Sequence, residues 1–171
     1  CSPAHPLMTG VEVILGADVS ADASLIACVS GIDRQRFIIS SVKDSAQRVI
    51  YHTYLEGNIR RQVFVKFDPF ETLVFFEAAG GIGVADLRDT QSWILPLSGS
   101  VVAIGDSVEG RLFTVLTREA EGLSLSAVEY PNHVVATERF SGQNAFLKQV
   151  GTTLYLGIDE SISRIDIRGI E

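Results

Sequence analysis

Phe67-Asp68-Pro69-Phe70-Glu71-Thr72-Leu73-Val74-Phe75-Phe76 joins a turn to an apolar run, and it decides the fold because the pattern recurs. Asp hydrogen-bonds its own backbone two residues on and Pro fixes φ, so such pairs favour a tight reversal of the chain. Similar turns lie in 19–27, 105–113 and, in a shorter form, 149–155. The leucines that follow the turns are separated by 48, 39 and 42 residues: Leu25, Leu73, Leu112 and Leu154. This self-similarity indicates about four copies of one structural unit.

Short runs rich in Val, Ile, Leu, Phe and Tyr alternate with turn residues along the chain, and helical periodicity is nearly absent. We expect fifteen strands, near 11–19, 24–30, 36–42, 48–54, 62–67, 72–77, 82–87, 92–97, 100–105, 111–117, 123–129, 133–139, 145–149, 152–157 and 162–167. Four strands in each unit of about forty residues are typical of β-propeller blades. A β-sandwich is the alternative, although it needs only about seven to nine strands and no such repeat.

The predicted organisation is a tether at 1–10 and an all-β propeller domain at 11–171, with units at 11–58, 59–99, 100–144 and 145–171. The fourth unit is incomplete, because only Arg168-Gly169-Ile170-Glu171 follow its third predicted strand. We therefore expect the ring of blades to be completed from outside the chain, by a protein partner or by self-association. The mean hydropathy of +0.25 is high, which indicates either a core that is large for the chain length or an apolar surface that a partner or an anchor covers.

Two segments carry a family resemblance. The hairpin at 67–76 resembles the F-S-P-D-G-K-x-L-x-x hairpin of WD-repeat-like propellers, and 82–88 is similar to their I-x-V-W-D-L-x third strand. Ser20-Ala21-Asp22-Ala23 is the same turn in the first unit, and Ile165-Asp166-Ile167 matches the third strand in the fourth. The Gly-His and Trp-Asp dipeptides of the WD family are absent, so the resemblance is to a looser bacterial propeller. It implies a binding module that presents loops to a protein partner.

Charge and hydropathy argue against a nucleic-acid partner and against a membrane span. Fourteen basic and twenty-one acidic residues give a net charge of −7, which disfavours nucleic acid. Charged residues, serine or glycine interrupt every apolar run before it reaches the length of a membrane span.

The start Cys1-Ser2-Pro3-Ala4 is similar to that of a processed bacterial lipoprotein, whose cysteine carries the lipid. The alternative is that Cys1 is an arbitrary boundary of the sequence. The lipoprotein interpretation predicts a location in the periplasm or at the outer membrane, with a lipid anchor at Cys1 as the only membrane contact.

The polar residues form no catalytic pattern. We expect Asp22, Asp68, Pro69 and Asp106 to stabilise turns. Trp93 is a candidate interface residue, and partial burial between blades is the favoured alternative. We interpret the histidines as exposed residues: His5, His52 and His133. The same interpretation applies to the turn carboxylates, such as Asp159-Glu160, whereas Cys28 is interpreted as a buried structural thiol. The sequence thus predicts no catalytic residue, metal or cofactor. The favoured function is a non-catalytic interaction module. One alternative is a small-ligand receptor or enzyme with its site in the central channel, and another is a part of a longer propeller with no separate activity.

Overall fold

In the computed structural model, residues 13–42, 48–69 and 72–169 are described. They form fifteen strands, with these bounds: β1 Ile14–Val19, β2 Leu25–Ser30, β3 Arg36–Ser41, β4 Arg48–Tyr54, β5 Val65–Phe67, β6 Leu73–Ala78, β7 Gly81–Asp86, β8 Gln91–Pro96, β9 Ser100–Ile104, β10 Leu112–Glu119, β11 Gly122–Glu129, β12 His133–Phe140, β13 Ala145–Val150, β14 Thr153–Ile158 and β15 Ser161–Asp166. A 3₁₀ turn, Ile167–Gly169, follows the last strand.

The strands form four antiparallel sheets, each built from consecutive strands in chain order. Blade 1 contains β1–β4, blade 2 contains β5–β8, blade 3 contains β9–β12 and blade 4 contains β13–β15. Leu25, Leu73 and Leu112 each begin the second strand of a blade, which explains the repeat in the sequence. The predicted all-β propeller fold is therefore confirmed, and the sandwich alternative is wrong, because successive four-stranded sheets replace two packed sheets.

The core lies between the blades, in three apolar clusters that separate successive sheets. Phe37 of blade 1 stacks on Phe76 of blade 2, with 3.9 Å between ring centroids. Phe75, on the other face of blade 2, contacts Phe113 of blade 3 at 4.7 Å. Leu116 of blade 3 and Leu156 of blade 4 belong to the third cluster. Packing on both faces buries every residue of β6 and β7, so these strands are nearly continuous apolar runs.

Blade 4 has three strands among the described residues, as the short fourth unit predicted. The side of blade 4 that packs on blade 3 is apolar, and Ile167 of the 3₁₀ turn is buried there. The third strand of blade 4, β15, has no neighbour on its outer edge among the described residues, whereas β3, β7 and β11 each pair with an outer strand.

Candidate protein-interaction surface

Asp22 lies in the turn between β1 and β2, where its side chain organises the reversal. The Asp22 Oδ1 atom accepts hydrogen bonds from the Ser20 hydroxyl at 2.7 Å and from the Ser24 N–H at 2.9 Å. The Ser20 Oγ atom in turn accepts the Leu25 N–H at 2.9 Å. Ala23 has φ of 55°, a left-handed conformation that such local bonds help to hold.

Asp68 lies at the corresponding turn of blade 2, but its carboxylate joins two blades. The Asp68 Oδ1 atom accepts the Ser107 N–H at 3.0 Å, and Oδ2 accepts the Ser107 hydroxyl at 2.9 Å. Asp68 is buried, whereas Pro69 beside it is exposed. The residue spacing in each turn does not indicate a hydrogen bond between turns of successive blades. The sequence therefore predicted the turn at Asp68 and not its contact with the next blade.

Asp106 also takes part in a contact between blades 2 and 3. The Lys66 ammonium donates to Asp106 Oδ1 at 2.5 Å and to the Ile104 carbonyl at 2.9 Å. Near the β6–β7 hairpin, the buried Glu77 of blade 2 accepts hydrogen bonds from the Arg61 guanidinium and from the Val101 N–H of blade 3, the latter at 3.2 Å. These polar groups hold the sheets in register, and their hydrogen-bonding capacity is used by these contacts.

Trp93 packs inside the chain, at the junction of blades 2 and 3. Its ring meets Tyr130 edge to face, with 5.6 Å between centroids. The Tyr130 hydroxyl donates to Asp86 at 2.8 Å, and Arg88 donates to the same carboxylate at 2.7 Å. The bonds from Arg88 lower the pKa of Asp86 to about 2 although burial opposes the shift, and burial with the bond to Asp86 raises the pKa of Tyr130 to about 12.

The other candidate residues do not assemble into a chemical site in the described part of the chain. His52 and His133 are exposed on the outer strands of different blades. Asp159 accepts the Asn144 N–H at 3.1 Å and supports a turn. Cys28 is buried, and burial raises the pKa of its thiol, as suits a structural side chain. Across 13–42, 48–69 and 72–169, no three His, Cys, Asp or Glu side chains are grouped to hold a metal ion.

The outward face of blade 4 exposes several large apolar side chains in the described part of the chain. Cross-strand pairing aligns its side chains in three rows: Phe146, Gly157 and Ile162; Lys148, Tyr155 and Arg164; Val150, Thr153 and Asp166. Its large apolar members are 52% exposed at Phe146, 59% at Val150, 38% at Tyr155 and 69% at Ile162. We call the residues of these three rows the open face. Exposed apolar side chains that lie close together are candidates for a contact surface.

A groove of ≈600 Å³ adjoins the open face, between the outer half of blade 3 and the edge of β15. Leu125 pairs with Glu138 and Ala127 with Ala136 across β11 and β12, so both pairs project to one side of the sheet. That side carries Leu125 in the cluster shared with blade 4, and Ile165 and Asp166 line the groove from β15. The groove thus lies where an outer strand of blade 4 would pack.

Cys1, the predicted lipidation residue, lies outside the described residues.

Comparison with known proteins agrees with this geometry. A family model described as a beta-propeller protein matches residues 6–171. The chain belongs to this β-propeller family. A protein of Treponema pallidum (strain Nichols), named only as uncharacterized, is 39% identical over 166 residues, which cover 97% of this chain and 44% of that protein.

Solved propellers share the fold at low sequence identity. BamB from Moraxella catarrhalis superposes with a TM-score of 0.60 and 15% identity, covering 94% of this chain and 52% of that one. The β-propeller domain of Cps50 (Swd1) from Myceliophteria thermophila gives a TM-score of 0.62 and 13% identity, covering 91% of this chain and 52% of that one. This propeller chain therefore spans about half the length of these proteins. No helix of its described residues is long and apolar enough to cross a membrane.

Proposed function

We propose that this propeller chain is a non-catalytic scaffold that binds a protein partner through blade 4. One observation carries the proposal: the open face exposes Phe146, Val150, Tyr155 and Ile162, although the chain uses the same kind of side chain to pack blades 1, 2 and 3. The partner that fits such a face is another β-sheet with an apolar centre, because this is what covers each face of blade 2. Lys148 and Arg164 on the open face favour acidic residues around that centre.

The polar groups support a scaffold over an enzyme. Asp68, Asp106, Glu77 and Asp86, the carboxylates with the most elaborate contacts, each join neighbouring blades or hold an arginine against the sheet. Their hydrogen-bonding capacity serves packing, and a catalytic carboxylate needs instead to face a substrate within hydrogen-bond reach. The size expected of the interface is that of a stable complex, roughly 1,000 Å² or more in total.

The test places a photo-crosslinking residue at Ile162 in cells that express the protein. The matched control places it at Ile50, a 41% exposed residue on the outer strand of the complete blade 1. We expect adducts with a β-sheet protein from position 162 and none from position 50. Equal adducts from both positions, or none from 162, would refute the scaffold function.

We further propose that the scaffold works in the bacterial cell envelope, anchored by a lipid at Cys1. The support is the residue pattern Cys1-Ser2 followed by Pro3 and Pro6, in which a small residue and a proline-containing stretch come after the cysteine. Mass spectrometry of the native protein should find a thioether-linked lipid on the N-terminal peptide. A reading frame that continues upstream through Cys1 as ordinary folded sequence would contradict the anchor and leave the scaffold function untouched.

A further inference from the structure

A cleft of ≈400 Å³ lies between the connection from β4 to β5 and the hairpin from β6 to β7. Its walls come from residues 58–61 and 77–80 and from Gly99 in the connection between β8 and β9. These segments belong to the junctions of blades 1, 2 and 3, each of which has four strands among the described residues. The cleft therefore lies in the middle of the chain, between sheets that are complete.

The connection from β4 to β5 is held in place on both sides of the cleft wall. The buried amide group of Gln35 donates to the Ile59 carbonyl at 2.6 Å and accepts the Ile59 N–H at 3.0 Å. Gly57 has φ of 73°, and a Cβ atom there would lie 2.7 Å from the Ala79 Cβ atom. Glycine thus allows the connection to approach the hairpin closely, and the cleft has a fixed shape.

Arg61 lines the cleft, and its guanidinium group is bonded along one edge. Its Nη1 and Nη2 atoms donate to the two carboxylate oxygens of the buried Glu77, and Nη1 also donates to the Gln62 carbonyl at 2.9 Å. A guanidinium group has five N–H donors, so the Nε–H and the second Nη2–H remain. Neither of them donates to a described residue, and the Arg61 side chain is 49% exposed. Two parallel donors of this kind match the two oxygens of a carboxylate.

The charges of the lining fit one further carboxylate. The charged residues of the lining are Arg60, Arg61 and Glu77. Two guanidinium groups and one carboxylate leave a single positive charge, in a chain whose net charge is −7. Arg60 is exposed and forms no ion pair or side-chain hydrogen bond with another described residue. Alanine and glycine occupy 78–80 and position 99, so no long side chain of these residues stands in front of the arginines.

We infer that this cleft binds an acidic side chain, glutamate or aspartate, of a protein partner. The carboxylate accepts the Nε–H and the free Nη2–H of Arg61, and Arg60 attracts it from the border of the cleft. Glu77 is a positioning residue, because its bonds fix the guanidinium plane before the ligand arrives and so reduce the entropy lost on binding. A singly charged carboxylate balances the lining, whereas a phosphate group with its larger charge exceeds it. The inference goes beyond the contact proposed for blade 4 and does not depend on it.

The probe is a capped peptide with three consecutive glutamates between glycines, and the matched control peptide has glutamine at the same three positions. The full chain is isotope-labelled at arginine, and nuclear magnetic resonance follows its Nε–H signals during the titration. The signal of Arg61 is the one that the Arg61→Lys variant lacks. We expect a saturable shift of this signal with the glutamate peptide and no shift with the glutamine peptide.

Two cleft variants and one control variant locate the peptide by isothermal titration calorimetry, with circular dichroism as the check on folding. Arg60→Glu replaces attraction by repulsion at an exposed residue and should weaken binding at least about fivefold. Arg61→Lys keeps a positive charge beside Glu77 but lacks the paired donors, and it should weaken binding at least about tenfold. Arg164→Glu makes the same charge change on the open face and should leave the affinity unchanged.

Three results would overturn the inference. One is an Arg61 signal that does not move at tens of millimolar glutamate peptide, and another is an unchanged affinity in Arg60→Glu, a test that stands even where Arg61→Lys does not fold. The third is an equal loss of affinity in Arg164→Glu and Arg60→Glu, which would place the peptide on the open face. Sodium phosphate at matched ionic strength completes the test: a stronger response of the Arg61 signal to phosphate than to the peptide would assign the cleft to phosphate groups and reject the acidic side chain.

Discussion

Blade 2 and blade 4 are copies of one unit, yet only blade 2 is covered on both faces. Its central strands β6 and β7 are buried at every residue, whereas β14 has an exposed residue at Tyr155 and β15 is largely exposed. Both blades contain a phenylalanine that lies over the glycine opposite it: Phe76 over Gly83 and Phe146 over Gly157. The same pair of phenylalanine and glycine thus occurs once inside the core and once at a surface. The difference in burial between the two blades therefore comes from what packs against each of them.

The matched phenylalanines give the largest expected effect. Phe76→Ala removes a fully buried ring that stacks on Phe37, and it should lower the free energy of unfolding by about 3–5 kcal/mol. Phe146→Ala removes a half-exposed ring and should cost less than about 1 kcal/mol in the isolated chain. Urea unfolding followed by circular dichroism measures both. Equal losses would mean that blade 4 is covered in solution, and the comparison would fail.

Asp68 gives the next effect, because its carboxylate reaches from blade 2 to blade 3. Asp68→Ala leaves the buried Ser107 donors without a partner and should cost about 1–3 kcal/mol. Asp22→Ala removes bonds within a turn of blade 1 and should cost about 0.5–2 kcal/mol. The same urea experiment ranks the two variants. A smaller loss for Asp68→Ala than for Asp22→Ala would contradict its role in joining blades.

Acid titration compares equivalent aspartates at the ends of the third strands. Asp86 accepts bonds from Arg88 and Tyr130, and its pKa is lowered to about 2. A carboxyl group whose folded pKa lies below the unfolded value of about 4 stabilises the fold above that value, and the contribution is lost as the pH falls toward the folded pKa. Stability should therefore fall between about pH 4 and pH 2, and Asp86→Asn should flatten that fall.

Asp166 is the matched control for Asp86. It also ends the third strand of its blade and accepts the N–H of an arginine two residues on, but it is exposed. Asp166→Asn serves as the control for replacing an exposed aspartate at a strand end, with chemical unfolding repeated at each pH. A flattening equal to that of Asp86→Asn would assign the acid sensitivity to strand ends in general and not to the buried cluster.

The sequence predicted the local structure well, because the turns and the apolar runs are local signals. The strand at 48–54 has the predicted bounds, and the turn residue Asp22 lies in a turn. Contacts between blades were missed, since nothing in the segment around Asp68 points to Ser107, thirty-nine residues away. Trp93 shows the same limit: a large aromatic residue in an outer strand is compatible with a partner or with Tyr130, and only the fold selects Tyr130.

The candidate site was foreseen as an incomplete fourth unit, without the side chains that form its surface. Ile162 lies in the polar stretch Ser161-Ile162-Ser163-Arg164, which has the alternation of a strand with one face covered. Cross-strand pairing decides which face, because it places Ile162 in one row with Gly157 and Phe146. The groove could not be predicted, since it depends on how blade 3 packs against blade 4.

Ile162→Ser should have the smallest effect on the stability of the isolated chain, within about 0.5 kcal/mol of zero, because the side chain is 69% exposed. It should nevertheless abolish association through blade 4, since it removes the most exposed apolar group of the open face. In a purified sample the available partner sheet is a second copy, so sedimentation velocity over a dilution series measures the effect. Ile50→Ser, on the outer strand of blade 1, is the control and should associate like the unmodified chain. An unmodified chain that sediments as a monomer at every concentration would remove the second copy as a partner, whereas equal association of all three chains would place the contact elsewhere than on blade 4.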